Sequence, residues 1–264
     1  FSALVRKIWN PRAFKGQVSP HELVQEVSNA SRKRFKLIEQ NNAIDFMSWF
    51  LNTLHKDLGG TKKKNSSVIY KYFQGEVKVD SQPAGMPTEK DTTFNPNKDI
   101  STSNTPFLFL ALDLPPVPLY QDEKERDIVP QVPLTTILSK FDGKKVQEVS
   151  NQLKRYSITR LPQYLILHIK RFTKNSWTSE KNPTIVNFPI KNIDMANFSS
   201  DPDMATLGNH YDLLANICHE GESEKGAYKV HVRHRGTEQW YQVQDLIVEE
   251  IMPQMIFMSE SYIQ

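Results

Sequence analysis

The stretch Leu161-Pro162-Gln163-Tyr164-Leu165-Ile166-Leu167-His168-Ile169-Lys170-Arg171-Phe172 decides the fold class. Residues 165–169 form a short continuous apolar run, the pattern of a strand covered on both faces. Residues 107–112 read the same way. Further strands are predicted over residues 185–190, 211–217, 228–232 and 240–243. In the third of these Tyr228, Val230 and Val232 alternate with Lys229, His231 and Arg233, the two-residue period of a sheet. Gly236 lies in the turn that follows. Upstream the pattern is helical: Leu23, Val24, Val27 and Ala30 recur at helical spacing after Ser19-Pro20-His21-Glu22, where Ser19 can cap and Glu22 can close a capping box. Residues 43–58 form a second helix, apolar on most of its circumference and so predicted to be buried, and Gly59-Gly60 ends it. Helices first and strands later is the α+β order.

Composition narrows the function classes. The 264 residues are 38% hydrophobic, enough to build a core. Lys plus Arg number 33 against 30 Asp plus Glu, and a formal net charge of +3 does not mark a dedicated nucleic-acid surface. One cysteine, Cys218, excludes an internal disulfide framework and a cysteine-rich zinc site, and points to a reducing compartment. No apolar run approaches the ~20 residues of a membrane-spanning helix. The chain opens on Phe-Ser-Ala-Leu, with no initiator Met, and reads as a piece of a longer protein.

Between the helices and the later strands, Lys62-Lys63-Lys64 is a basic run, and residues 68–79 read as a strand interrupted by Gly75. Residues 81–106 are rich in Pro, Thr, Asn, Ser, Asp and Lys and read as a long mobile surface insertion. Leu134, Ile137, Leu138 and Phe141 suggest one amphipathic helix; Val146, Val149, Leu153 and Tyr156 suggest another.

Seven segments, in order, resemble the ubiquitin-specific protease family. Gln40-Asn41-Asn42-Ala43-Ile44-Asp45-Phe46 resembles its Gln-Gln-Asp-Ala-x-Glu-Phe helix start, and Phe73-Gln74-Gly75 its first finger strand. Residues 161–172 resemble its Leu-Pro…Leu-Lys-Arg-Phe strand, and Val186-Asn187-Phe188-Pro189 its Val-x-Phe-Pro. Residues 211–221 look like the strand and loop before the catalytic histidine. Gly226-Ala227-Tyr228 and Trp240-Tyr241-Gln242-Val243-Gln244-Asp245 resemble its Gly-His-Tyr and Trp-Tyr-x-Phe-Asp-Asp. The resemblance implies a papain-like cysteine-protease fold. Its parts would be a helical thumb over about residues 1–60, β fingers over about 66–160 and a β palm over about 161–264, without the family's amino-terminal segment.

The departures carry the functional reading. Such a protease needs a thiolate, a histidine to exchange its proton and a group that orients the histidine. The resemblance puts Ala227 where the histidine belongs and Gln244 at the orienting Asp or Asn; the nucleophile's segment lies upstream of residue 1. A methyl group accepts no proton. His231 shares a strand face with Ala227 but sits two pleats, ~13 Å, further along, too far to replace it. His219 reads as a structural or surface loop histidine, Cys218 as a buried inert thiol, His234 as an exposed turn residue, and Asp245 as capable of local hydrogen bonds only. Where many family members carry paired cysteines at the fingertips, this chain has none, so zinc-free fingers are expected, with no metal and no cofactor.

Residues 59–64, 113–125, 130–134 and 181–190 further resemble the inactive branch associated with the spliceosomal tri-snRNP. That branch implies a nuclear, protein-binding scaffold supporting pre-mRNA splicing. Its partners would be tri-snRNP proteins, with no membrane. Two alternatives stay open: a binder of ubiquitin or a ubiquitin-like protein that does not cleave it, and a weakly active deubiquitinase. Candidate binding residues are Lys62, Lys63 and Lys64, which read either as a solvated loop or as a minor RNA contact, and Trp177, a candidate interface anchor. Residues 121–127 are a mixed charge run, read as an exposed turn or as a dock for a basic partner.

Overall fold

A computed structural model describes residues 1–12, 18–36, 38–83, 94, 99–116, 129–174, 179–199, 210–223 and 225–264. The chain separates into two compact units, Phe1–Leu58 and Gly59–Gln264.

The first unit is helical: α1 (Ser2–Ile8), α2 (His21–Ala30) and α3 (Ala43–Asp57). Asn42 caps α3, its side-chain oxygen accepting from the Ile44 N–H at 3.1 Å. Phe35 is buried, 5.4 Å from Phe46 and 5.3 Å from Trp49 between ring centres. Only Leu51 and His55 of α3 are fully buried, so the expectation of a helix enclosed all round is corrected: Phe46, Trp49 and Phe50 are half-buried and lie against one another along one side. The capping box at α2 does not close either. Glu22 turns to Lys7, 2.8 Å away, and Pro20 holds the cap position with no side-chain bond. At the end of α3, Gly59 has φ +71°, the left-handed stop that glycine adopts without a Cβ penalty.

In the second unit the predicted strand over 68–79 is a helix for its first half. α4 (Val68–Phe73) is capped by Ser67, whose hydroxyl accepts from the Tyr70 N–H at 3.3 Å. β1 (Gly75–Pro83) starts only at the glycine, where an added Cβ would lie 2.3 Å from the Phe107 ring. β2 (Ser101–Phe107) pairs antiparallel with β1, from Gly75–Phe107 to Ser81–Ser101. Both ends of the expected insertion are therefore strand, and residues 84–93 and 95–98 lie outside the described ones. Polar composition misled here because β2 is an edge strand exposed at six of its seven residues, where Ser and Thr suit the ladder as well as apolar residues do.

The helix expected around residues 146–156 is also a hairpin. β5 (Gln147–Val149) and β6 (Gln152–Arg160) join through Ser150 and Asn151, both at positive φ, the turn chemistry of a two-residue hairpin. These strands form a sheet of order β2-β1-β6-β5. The remaining elements are β3 (Leu110–Asp113), β4 (Gln131–Pro133), α5 (Leu134–Leu138), β7 (Leu167–Lys170), β8 (Phe172–Lys174), β9 (Ser179–Lys181), β10 (Ile185–Asn187), β11 (Ile193–Asp194), β12 (His210–Tyr211), β13 (Ala215–Gly221), β14 (Gly226–Arg233), β15 (Trp240–Gln244), β16 (Ile247–Ile251), α6 (Pro253–Ile256) and β17 (Ser261–Ile263).

Seven of them make one sheet, order β16-β15-β14-β13-β17-β7-β3. All its pairs are antiparallel except β3 with β7. The buried apolar cluster runs from Leu112 and Ile169 on this sheet through Leu134 and Leu138 of α5 to Ile158 of β6 and Val186 of β10. Arg171, fully buried just after β7, ties the segments together. Its Nε and Nη2 donate to the Ser261 carbonyl at 2.9 and 2.6 Å, and its Nη1 to the Asn182 carbonyl at 2.8 Å. The Lys-Arg-Phe of the opening stretch is thus a structural clamp.

Candidate functional site

Alternation along β14 places Ala227, Lys229 and His231 on one face of the large sheet. The β13 register sets Glu220 opposite Ala227, Cys218 opposite Lys229 and Asn216 opposite His231. On the other side Gln242 of β15 stands opposite His231, and Gln244 follows it on the same face one pleat nearer the Ala227 end. The two positions expected to be degenerate, Ala227 and Gln244, therefore share a face, together with groups that composition alone did not single out.

Around the Ala227 methyl the face carries an ion pair, not a base. Lys229 Nζ lies 2.6 Å from a Glu220 carboxylate oxygen. The lysine stem is 20% exposed and the carboxylate 53%, so the pair sits at the rim of the sheet where water reaches one partner. Neither residue was found as a site residue from the sequence; the signal available was the hairpin itself, which fixes Glu220 across from Ala227 once its register is known.

His231 is buried, and both ring nitrogens face amides: Nδ1 is 3.4 Å from Asn216 Nδ2, and Nε2 is 3.4 Å from Gln242 Oε1. With Nε2–H donating to Gln242, Nδ1 is left to accept from Asn216, which fixes a neutral ring. Burial pushes its pKa below the ordinary histidine value, opposed by the Gln242 hydrogen bond. Asn216 also donates to the Ser259 hydroxyl at 2.9 Å. The result is a structural histidine locked inside the sheet face.

His219 is no loop residue. It lies in β13 on the opposite face, 2% exposed, with the rings of Phe172 and Tyr228 each 5.0 Å away. Its ring fills the space above Gly226, where an added Cβ would come within 2.0 Å of the imidazole. Burial lowers its pKa, and the nearby Lys181 ammonium lowers it further. That ammonium donates to the carbonyls of His219 and Gly221, both at 2.7 Å, and pairs with Glu260. Cys218 is fully buried, its thiol pushed up to about 11 by burial, with Glu220 adding to the shift. Such a thiol is neither a ready nucleophile nor a metal ligand. Asp245 sits at φ 52° in the tight turn between β15 and β16.

Of the binding candidates, Lys64 is committed to Glu76, while Lys62 and Lys63 are exposed beside it. Trp177 and the charge run 121–127 lie outside the described residues. Among the described residues no group of three or more His, Cys, Asp or Glu is placed to hold a metal ion, and no helix is long and apolar enough to cross a membrane.

Comparison with known proteins accords with this geometry. The family described as "Ubiquitin carboxyl-terminal hydrolase" matches residues 1–264. Ubiquitin carboxyl-terminal hydrolase 39 of Homo sapiens is 48% identical over 274 residues, covering all of this chain and 48% of the relative. "Probable mRNA-splicing protein ubp10" of Schizosaccharomyces pombe is 44% identical over 273 residues, 99% of this chain and 54% of the relative. The chain thus spans about half the length of the curated relatives it matches. A solved structure described as an essential yeast splicing factor superposes with a TM-score of 0.66 at 25% identity, over 98% of this chain and 56% of that one. The α+β architecture is accordingly that of the ubiquitin-specific proteases.

Proposed function

Because the chain belongs to the ubiquitin carboxyl-terminal hydrolase family, we propose that it is a member that does not cleave, retained as a protein-binding scaffold in pre-mRNA splicing. The observation that carries the first half is the face around Ala227. At the position where the family resemblance calls for an imidazole there is a methyl group, flanked by the Glu220–Lys229 ion pair, while His231 is neutral and engaged by two amides. Removing one member of a catalytic triad costs several orders of magnitude in rate. Gln244 has no imidazole to orient.

The second half rests on the relatives, one of them described as an mRNA-splicing protein and one solved neighbour as a splicing factor. The reading places the domain in the nucleus with proteins of the spliceosomal tri-snRNP as partners. It also takes about residues 1–60 as thumb, about 66–160 as fingers and about 161–264 as palm; the unit boundary after Leu58 and the separate sheet of β2, β1, β6 and β5 support that division, while β3, inside the second span, joins the seven-stranded sheet.

Two measurements on the full-length protein test it together. It is incubated with ubiquitin bearing a carboxy-terminal electrophile, and its sedimentation with tri-snRNP particles is followed in nuclear extract. No adduct, with co-sedimentation, is expected. A covalent adduct overturns the non-cleaving half; absence from the particles overturns the scaffold half.

A further inference from the structure

Six of the seventeen exposed large apolar residues among the described ones fall within residues 246–258: Leu246, Ile247, Val248, Met252, Met255 and Met258. Leu246 is 98% exposed, at the tip of the β15–β16 turn. Isolated apolar side chains on a surface need no explanation, but a concentration along one stretch of chain does.

The concentration spans the β15–β16 turn, β16 and the residues after it; Ile247 and Val248 lie on β16 itself, the terminal strand of the seven-stranded sheet, which among the described residues pairs with β15 alone. The two-residue turn makes Gln244–Ile247, Gln242–Glu249 and Trp240–Ile251 the hydrogen-bonded pairs. The N–H and C=O of Val248 and Glu250 consequently point away from β15, toward the free edge. Proteins usually blunt such an edge with charged side chains, Lys above all, with Pro or with a bulge. Residues 246–251 contain neither Lys nor Pro, the ladder runs its whole length without a register shift, and the only charges on the edge are those of Glu249 and Glu250. The edge of the smaller sheet differs: β2 is hydroxyl-rich and carries Pro106.

Charge selects the occupant. Asp245, Glu249 and Glu250 are acidic and residues 245–258 include no Lys or Arg, in a chain of formal net charge +3. A second copy pairing antiparallel about the middle of the strand would set Glu249 directly against its own counterpart, and like charges directly opposite are destabilising. A strand with two consecutive apolar residues beside two consecutive basic ones meets no such conflict. Because neighbouring side chains point to opposite faces, its apolar pair would flank Ile247 and Val248, one on each face, and its basic pair Glu249 and Glu250 in the same way, with the thioethers of Met252, Met255 and Met258 as an adaptable rim.

We propose that β16 is a docking edge for an extended, basic-and-apolar segment of another protein, which adds a strand to the seven-stranded sheet. The inference concerns an edge of the sheet, not the Ala227 face, and stands or falls independently of whether the protein cleaves or splices.

The test uses the full-length protein and synthetic strand peptides: one built of Val-Val-Lys-Lys blocks, one of Val-Val-Glu-Glu blocks, and the Lys peptide with a central Pro. Anisotropy gives affinities, and amide hydrogen exchange locates the binding. The Lys peptide is expected to bind at least about ten-fold more tightly than the other two and to slow exchange at Val248 and Glu250. The double substitution Glu249→Lys with Glu250→Lys, on exposed side chains, should reverse the preference toward the Glu peptide. Equal affinities, or unchanged exchange at Val248 and Glu250, overturn the proposal. So does protection of those amides without peptide, which would mean that the edge is already covered: by a second copy if sedimentation shows a dimer, by another segment of the same chain if it shows a monomer.

Discussion

Replacing Arg171 with Met removes the clamp that holds β17 and the segment after β9 to the end of β7. The guanidinium makes three short hydrogen bonds, two to the Ser261 carbonyl at 2.9 and 2.6 Å and one to the Asn182 carbonyl at 2.8 Å. The Thr184 carbonyl, 3.4 Å from two of its nitrogens, adds little. Hydrogen bonds from a charged donor contribute about 1.5–3 kcal/mol each, so the gross loss is about 4–9 kcal/mol. Against this, the fully buried cation has lost its hydration, and burial is the leading cause that lowers its pKa. Each buried carbonyl left without its donor costs about 1–3 kcal/mol, and those of Ser261 and Asn182 both lose theirs, so the net loss is about 2–6 kcal/mol. At a urea slope of about 3 kcal/mol/M the unfolding midpoint should fall by about 1–2 M with the slope unchanged. Arg171→Lys should recover less than half of this, since one ammonium does not span both carbonyls. A loss below about 1 kcal/mol for Arg171→Met would show that desolvation cancels the bonds and that the clamp is not what holds these strands.

The buried histidines make stability pH-dependent in a defined direction. Burial holds the His231 and His219 pKa values below that of an unfolded histidine, ~6.5. The unfolded chain therefore takes up the proton first, and the contribution of the neutral rings is complete above about pH 6.5 and lost as pH falls through that range toward the folded values. Urea midpoints measured from about pH 8 down to pH 5 should drop, and His231→Gln should flatten the profile; identical slopes for the two proteins would count against the assignment. Cys218, with its thiol at about 11 and no solvent access, should resist iodoacetamide in the folded protein at pH 8 and react at once in denaturant. Labelling of folded protein at the rate of a free thiol would disprove its burial.

Secondary structure was legible where one face of an element is apolar. The run 165–169 and the alternation of residues 228–232 both led to strands of the large sheet, the first because a strand inside a sheet is covered on both faces and the second because a two-residue period fits no helix, although on β14 it is His231 that is buried and Val232 that is exposed. It was illegible where no face is buried or where two periods fit. Six of the seven residues of β2 are exposed, so nothing in its composition separates it from a loop; pairing with β1 decides it. Val146, Val149, Leu153 and Tyr156 satisfy a helical spacing, yet Ser150 and Asn151 at positive φ and the ladder to β1 make them a hairpin. The start of β1 was displaced for a similar reason, since Ser67 caps a helix that the strand pattern did not anticipate.

What the sequence by itself determined about the site is chemical identity. Ala227 has no proton acceptor in any fold, and a single cysteine supplies no four-thiolate zinc site, so these statements need no coordinates. What only the tertiary structure decided is which groups stand beside them. Glu220 and Lys229 meet because the β13–β14 register sets them on one face, His219 is buried because Gly226 leaves room for its ring, and Arg171 is a clamp because the Ser261 and Asn182 carbonyls, from two separate segments, turn toward it. The free edge of β16 belongs to the same class. Its residues read as an ordinary strand, and that none of the described residues pairs with its outer side is a property of strand order, which arises from contacts between distant segments and leaves no local mark in the chain.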